Sequence, residues 1–339
     1  MRILVVTPLE ASQAGGPAQY AKMLSEAFSE QGHYTEVLAF SPYMKYRSGI
    51  RHIRFFFQAL KQIQNMDAVI VLDTFSVALP TVLACAFRKK QVVVRTGGDF
   101  VWEHYVNRTG EKVLLSEFYT KKLSLNLKER IIIWLQRNIV VRFTSVFVFS
   151  TAWQRNIWKE VYKRKQTKVC IIENAYAQDG DISERKNVSQ NVLWIGRDIP
   201  LKNVETLESA VDSLKEEFKE MTLKTYPNVA HEELPQVLSD ARVLVIPSVS
   251  EVSPNIVFKA FAYGVPVILT NDCGLHHVLD GVVTWIDSRS VSSIETALRN
   301  HFDEEVYLHL VEKVRDFNIQ RTYTDVAKEF IACLETHHS

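Results

Sequence analysis

Glycine and proline are scarce in this chain, 12 and 10 in 339 residues. Collagen-like and low-complexity architectures need one or both in quantity and are excluded. Cysteine is rarer still. Cys85, Cys170, Cys273 and Cys333 lie far apart and form no CxxC pair, so no zinc ribbon or thioredoxin-type motif is present. Cysteines scattered this thinly suggest a reducing compartment. No apolar run approaches the roughly 20 residues that a membrane-spanning helix needs. The greasiest stretch, residues 131–141, is broken by Gln136, Arg137 and Asn138. The opening run Ile3–Val6 is too short for the apolar region of a signal peptide and reads as a buried strand. The ten histidines show no HExxH spacing, and the adjacent pairs His276-His277 and His337-His338 cannot share one helix face. No metal site is expected.

What remains is a chain able to build real cores: 47% hydrophobic, 23% charged, and long enough for two ordinary domains. Its net charge of +1 conceals an asymmetry. Residues 1–175 hold 25 Lys and Arg against 13 Asp and Glu, whereas residues 176–339 hold 15 against 26. Either the first half meets something anionic or the two halves attract each other across a domain cleft.

Short β-branched runs recur, each followed by a helical pattern. In the first half they are Ile3–Val6, Thr35–Phe40, Ala68–Leu72, Gln91–Arg95, Ser145–Phe149 and Val169–Ile172. In the second they are Val192–Ile195, Met221–Thr225, Val243–Ile246, Pro266–Leu269 and Val283–Ile286. Strands alternating with helices mean parallel sheets, and continuous apolar runs mean strands covered on both faces. The expected fold is α/β: two doubly wound, parallel-sheet, Rossmann-like domains facing a cleft. The first spans residues 1–175 and the second 191–320, joined by a polar, aperiodic linker over 176–190. Residues 321–339 form a helix with Val326, Phe330, Ile331 and Leu334 on one face, able to pack back on the first domain.

Ligands of such sheets sit beyond the carboxyl ends of the strands, so three turns there matter most. After the first strand, Gly15-Gly16 leads into a helix, giving either a close-approach anion site or a tight turn. The pattern matches neither a dinucleotide fingerprint nor a phosphate-binding P-loop. After Val192–Ile195 come Gly196-Arg197 and Lys202, two cations where a diphosphate would lie, or two solvated loop charges. After Val243–Ile246 a polar loop carries Glu251 at the mouth of a helix start around Ser253, Asn255 and Ile256. Its free N–H groups favour an anion, and Glu251 can accept hydroxyl protons. That helix stops at Gly264 before the strand at Pro266. From the first domain, Asp99 reaches the same region as an acceptor-orienting base or as a helix cap, with Trp102 and Glu103 behind it. Asp179-Gly180-Asp181 mimics a metal-binding DxD but lies in the linker.

Taken in this order, the three turns resemble the retaining glycosyltransferases of family four, the group-one family with the GT-B fold. The carrying residues are Gly15-Gly16, then Gly196-Arg197-x4-Lys202, then Glu251-x7-Lys259 and Ala260-Phe261-Ala262-Tyr263-Gly264-Val265-Pro266-Val267. His231-Glu232-Glu233-Leu234-Pro235, Asp240–Ser248 and Arg95–Glu103 also look like that family. The family's second glutamate, which binds the nucleotide ribose, is replaced by Lys259, and a cation cannot accept hydroxyl protons as a carboxylate does. The stretch from Lys202 to Tyr226 is compact for the family, and its usual Asn-Gly near the linker reads Asn174-Ala175.

The resemblance implies transfer of a sugar from a nucleotide-diphosphate sugar to a glycan or lipid-linked acceptor, with no cofactor and no metal. Glu251, Arg197, Lys202 and Asp99 are its expected catalytic residues. Gly15, Gly16, Arg197, Lys202, Glu251, Ser253, Asn255, Ile256 and Lys259 would hold the donor, and Asp99, Trp102 and Glu103 the acceptor. Two rivals stay open: a nucleotide-sugar epimerase on the same fold, and a degenerate member that binds a glycan or partner without catalysis. Cytoplasmic residence is expected. Two segments, 47–64 and 121–142, interleave cations with aromatic and apolar residues, as a core helix with a basic face or a helix lying on an anionic membrane does. No nucleic-acid recognition motif is present.

Overall fold

A β-branched run can stay continuous, without polar alternation, only where both faces of its sheet are covered. The computed structural model of the protein, which describes residues 1–10, 16–162, 167–176, 189–227, 229 and 233–335, turns all eleven expected runs into strands, but only the inner ones are covered on both faces: the edge strands over 34–39, 168–171 and 222–226 stay largely exposed or half-buried. Each strand end falls within about one residue of its expected place, as frayed strand ends allow. They are β1 (Arg2–Thr7), β2 (Tyr34–Ala39), β3 (Ala68–Val71), β4 (Gln91–Thr96), β5 (Val146–Phe149), β6 (Lys168–Ile171), β7 (Asn191–Ile195), β8 (Thr222–Tyr226), β9 (Val243–Ile246), β10 (Val267–Thr270) and β11 (Thr284–Ile286).

The chain divides into two units. The first comprises Met1–Tyr105, Lys122–Ala175 and Arg321–Ser339; the second comprises Val106–Lys121 and Tyr176–Gln320. The first unit has a six-stranded parallel sheet in the order β2-β1-β3-β4-β5-β6. The second has a five-stranded parallel sheet in the order β11-β10-β9-β7-β8. Where the sequence would give residues 106–121 to the first domain, they count with the second. Residues 177–188, most of the expected linker, lie outside the described residues.

The C-terminal helix Tyr323–Glu335 counts with the first unit. Val326, Ala327, Phe330 and Leu334 are fully buried there against Leu24, Phe28, Val93 and Val146. Polar ties reinforce this apolar seam. Gln31 donates to the Thr324 carbonyl, Gln91 to Leu334 and Lys168 to Cys333. Cys333 is also joined to Cys170 of β6 by a disulfide that closes 163 residues of sequence. The cysteine spacing, read as that of a reducing compartment, gives no sign of this pair, because only the docked helix brings the two together. Where a reducing environment keeps both as thiols, the apolar seam and the three hydrogen bonds hold the helix alone.

In the second unit, two apolar layers cover the sheet. One gathers Leu193, Leu244, Val257, Phe258, Phe261 and Leu269 on the face of the Ile256–Ala262 helix. The other gathers Val192, Val243, Leu207, Val211, Ile294 and Leu298 under the Val204–Leu214 and Val291–Phe302 helices. His301 ends this second layer fully buried, its Nδ1 on the Ala297 carbonyl at 2.8 Å. Burial pulls its pKa down to about 4 against the opposing pull of that carbonyl.

That depression fixes the sign of a pH effect. The unfolded chain binds a proton at His301 below about pH 6.5 while the folded chain does not until about pH 4, so stability present above 6.5 drains away as pH falls through this window. We expect His301→Gln to remove about 3 kcal/mol of the acid-induced loss between those limits. Urea unfolding of both proteins at pH 7 and pH 4 reads it; parallel pH dependences would refute the assignment.

Candidate functional site

The site grows from the loops at the carboxyl ends of β7 and β9. After β7 the chain runs through Gly196, Arg197 and Asp198 into the short 3-10 turn Pro200–Lys202, then Asn203, then the Val204–Leu214 helix. A Cβ on Gly196 would meet the Trp194 ring at 3.2 Å and Lys202 Cγ at 3.6 Å. Glycine therefore leaves room for the lysine stem to lie back over the strand end. After β9, the Val249 N–H donates to the Leu201 carbonyl at 3.0 Å and ties the second loop to the first. The Glu251 N–H donates to Asp272, and the Gly274 N–H to the Glu251 carbonyl. Glu251 is thus fixed by main-chain bonds on both sides.

The result is a close ion pair: Lys202 Nζ stands 2.5 Å from Glu251 Oε1, with side chains 25% and 14% exposed. Sequence places these residues 49 positions apart; the two parallel strands bring them together. Arg197 is exposed, and its guanidinium has no hydrogen-bond or ion-pair partner among the described residues. One fixed cation, one fixed carboxylate and one uncommitted guanidinium therefore share the carboxyl edge of this sheet.

Asn203 holds the arrangement. It is 3% exposed and takes the left-handed conformation, φ 52°. Its Nδ2 donates to the Pro247 carbonyl at 2.9 Å and to Ser288 at 2.7 Å, and its Oδ1 accepts from Thr206 Oγ1 at 2.6 Å. One side chain so joins the loops after β7, β9 and β11. The sequence reading passed over it.

It also passed over residues 106–121. Asn107 accepts from the Leu201 N–H at 3.2 Å, and Lys112 donates to Thr206 Oγ1 at 2.5 Å. The Leu115 N–H donates to Ser250 Oγ at 2.8 Å, and Ser250 in turn donates to Asp272 at 2.5 Å. This segment braces the loops that carry Lys202 and Glu251. No local pattern announces it, since its contacts lie about 90 to 170 positions away in sequence, where only the fold brings them near.

Ser253, Asn255 and Ile256 lie at the start of the Ile256–Ala262 helix, where Val257 and Lys259 direct their N–H groups to Pro254 and Asn255. Lys259 lies half-buried on the last turn. In the first unit, Gly16 opens the helix Gly16–Glu30, with no heavy atom within 4 Å of where its Cβ would stand; Gly15 lies outside the described residues.

Of the two roles expected for Asp99, orienting base or helix cap, the structure displays the cap. Asp99 is fully buried. Its Oδ1 accepts the N–H groups of Val101 and Trp102 at 3.1 and 3.0 Å, and its Oδ2 accepts the Trp158 indole at 2.9 Å. It caps the start of the Phe100–Thr109 helix. Trp102, 3% exposed, is a core residue. Glu103 stands over Gly98, where a Cβ would collide with the carboxylate. Among the described residues no three His, Cys, Asp or Glu side chains gather as a metal ion would require.

Residues 182–303 match the model of a family described as "Glycosyl transferases group 1". No curated protein sequence matches the chain. Among solved structures, sucrose-phosphate synthase from Thermosynechococcus elongatus is similar with a TM-score of 0.72 at 14% identity, covering 99% of each chain. WaaG, a glycosyltransferase involved in lipopolysaccharide biosynthesis, aligns with a TM-score of 0.69 at 14% identity over 98% of this chain and 99% of its own. A protein described as a UDP-N-acetylglucosamine 2-epimerase from Listeria monocytogenes reaches 0.63 at 12% identity, over 99% and 96%. At such identities the shared property is the two-domain GT-B fold.

The bracing role of Asn203 has a measurable cost. Asn203→Ala strands two buried carbonyls and forces a Cβ-bearing residue without a polar side chain into left-handed backbone, so we expect about 3 kcal/mol of lost stability. Asn203→Gly relieves the backbone part and should recover about 1 kcal/mol. Equal losses in urea unfolding would show that the left-handed turn carries no strain.

Proposed function

We propose, from the likeness of residues 182–303 to the group 1 glycosyltransferases, that the protein moves a sugar from a nucleotide-diphosphate sugar to a glycan or lipid-linked acceptor. Transfer proceeds with retention, without a metal and on the cytoplasmic side. The observation that carries this reading is the Lys202–Glu251 pair, with Arg197 uncommitted beside it on the same sheet edge.

Breaking the bond between the donor sugar and its diphosphate builds positive charge on the sugar, as in glycoside hydrolysis, and negative charge on the departing phosphate. Fixed cations aimed at that phosphate stabilise it without reorganising at the moment of reaction. Lys202 supplies a point charge held in place by Gly196 and the 3-10 turn, and Arg197 a planar fork. Glu251, held at its N–H and its carbonyl, accepts the hydroxyl protons of the donor sugar and orients the ring. The Lys202–Glu251 contact keeps both groups poised while no donor is bound. In retention by this route the acceptor attacks from the leaving-group side, so no separate nucleophile is needed. Ser253, Asn255 and Ile256 border the phosphate, and Lys259 replaces a ribose-binding carboxylate with a donor to a ribose oxygen or phosphate.

Metal-free calorimetry with UDP, GDP, ADP, TDP and CMP tests the donor site. One diphosphate should bind, and Arg197→Ala or Lys202→Ala should each weaken it by about 1.5–3 kcal/mol, the scale of a charged hydrogen bond. Lys259→Glu should reorder the nucleotide ranking while leaving the melting temperature in place. Absence of binding by every nucleotide would favour a degenerate glycan-binding protein, and turnover of a nucleotide sugar with no acceptor present would favour an epimerase.

A further inference from the structure

From position 37 to position 66 the chain contains no Asp or Glu but five cations: Lys45, Arg47, Arg51, Arg54 and Lys61. The helix Ile50–Ile63 occupies the centre of this stretch. It buries Phe55, Ala59 and Ile63, yet leaves Ile50, Ile53 and Phe57 exposed at 49%, 60% and 62%. Spacings of three and four put these three on one outer face. A helix already satisfied on its inner face has no folding reason to carry an apolar stripe on the other. None of the five cations has a carboxylate partner among the described residues. Instead Arg54 lies over the Tyr46 ring at 4.3 Å and Arg51 over Phe40 at 6.0 Å.

The feature repeats alongside. The Ile50–Ile63 helix packs against Ala78–Arg88, which packs against residues 136–140, the continuation of the Leu127–Leu135 helix. Phe87 is exposed at the end of the middle helix, next to Arg88 and Lys89. On the third, Leu127, Ile131 and Trp134 form a second outward stripe, flanked by exposed Arg130, Arg137 and Arg142. Its one carboxylate, Glu129, is turned inward and fully buried on His104 and the Asn126 cap. Helices of one unit, linked through Ala78–Arg88, thus each carry outward-facing unpaired cations and projecting apolar side chains.

We propose that this surface docks on an anionic lipid bilayer. Ile50, Ile53, Phe57, Ile131 and Trp134 enter the boundary between headgroups and acyl chains, and the surrounding arginines and lysines meet lipid phosphates. A phosphate polymer such as nucleic acid would use the cations but leave the aliphatic stripe in water. A bilayer satisfies both, since apolar burial and attraction to anionic headgroups add. The inference goes beyond glycosyl transfer and does not depend on it, because every residue it uses lies outside the Lys202–Glu251 site.

Co-sedimentation of the whole protein with phosphatidylcholine vesicles, with and without phosphatidylglycerol, decides the matter. Binding should be at least tenfold stronger with the anionic lipid and fall as salt rises. Ile53→Ser with Phe57→Ser should weaken it roughly tenfold by removing buried apolar area, and Arg51→Gln with Arg54→Gln by a similar factor. Bilayer-embedded quenchers should dim Trp134, and Trp134→Phe should remove that signal. Nucleotide calorimetry on the same variants should match the unmodified protein, which separates failure of this surface from failure of the donor site. Equal binding to both vesicle types, unchanged binding in the serine variant, tighter binding to duplex DNA, or a lipid-independent dimer abolished by the serine variant would each overturn the proposal.

Discussion

In a parallel sheet the strands end together, and their last carbonyls and the loops that follow must find hydrogen-bond partners outside the sheet. In the second unit Asn203 meets that demand. Its single side chain satisfies carbonyls from two loops and receives a hydroxyl from the helix behind it. The left-handed turn that places it also ends the 3-10 turn from which Lys202 projects. The ion pair with Glu251 is therefore a consequence of loop satisfaction, and the chemistry proposed for it inherits its precision from a neutral amide.

The strands were legible because their cause is local. A run such as Val243–Ile246, buried on every residue, announces itself by having nothing polar in it. The Gly196-Arg197-x4-Lys202 spacing was legible for a similar reason: the glycine and the lysine belong to one loop, and each makes sense only with the other. Pairing Lys202 with Glu251 needed the fold, since strand order and not sequence makes β7 and β9 neighbours. Residues 106–121 and the Cys170–Cys333 pair were out of reach, because their partners are set by where distant segments dock. Asp99 and Trp102 show the opposite difficulty. Their types suit catalysis and sugar stacking, yet two backbone N–H groups and an indole claim the carboxylate and the core claims the ring.

The charge asymmetry likewise resolves into particular surfaces. In the acidic second half, carboxylates such as Glu217 and Glu304 are tied to Arg299 and Arg242. In the first half, Arg51 and Arg54 of the Ile50–Ile63 helix lie over aromatic rings and have no carboxylate partner among the described residues. An uncompensated charge is held by the fold but directed outward, and this distinguishes a charge that stabilises the protein from one that serves an encounter.

The chain passes between its two units four times, at Tyr105, Lys121, Ala175 and Gln320. Such threading limits modular exchange. Cutting within the polar stretch after Ala175 would not yield two self-sufficient halves. The second half would lose the segment whose Leu115 is fully buried, and the first would lose the helix whose Phe330 completes its core. A chimaera with a relative would have to carry residues 106–121 and 321–335 along with their adopted units, so evolution by swapping whole domains is hindered here by two short borrowed pieces of chain.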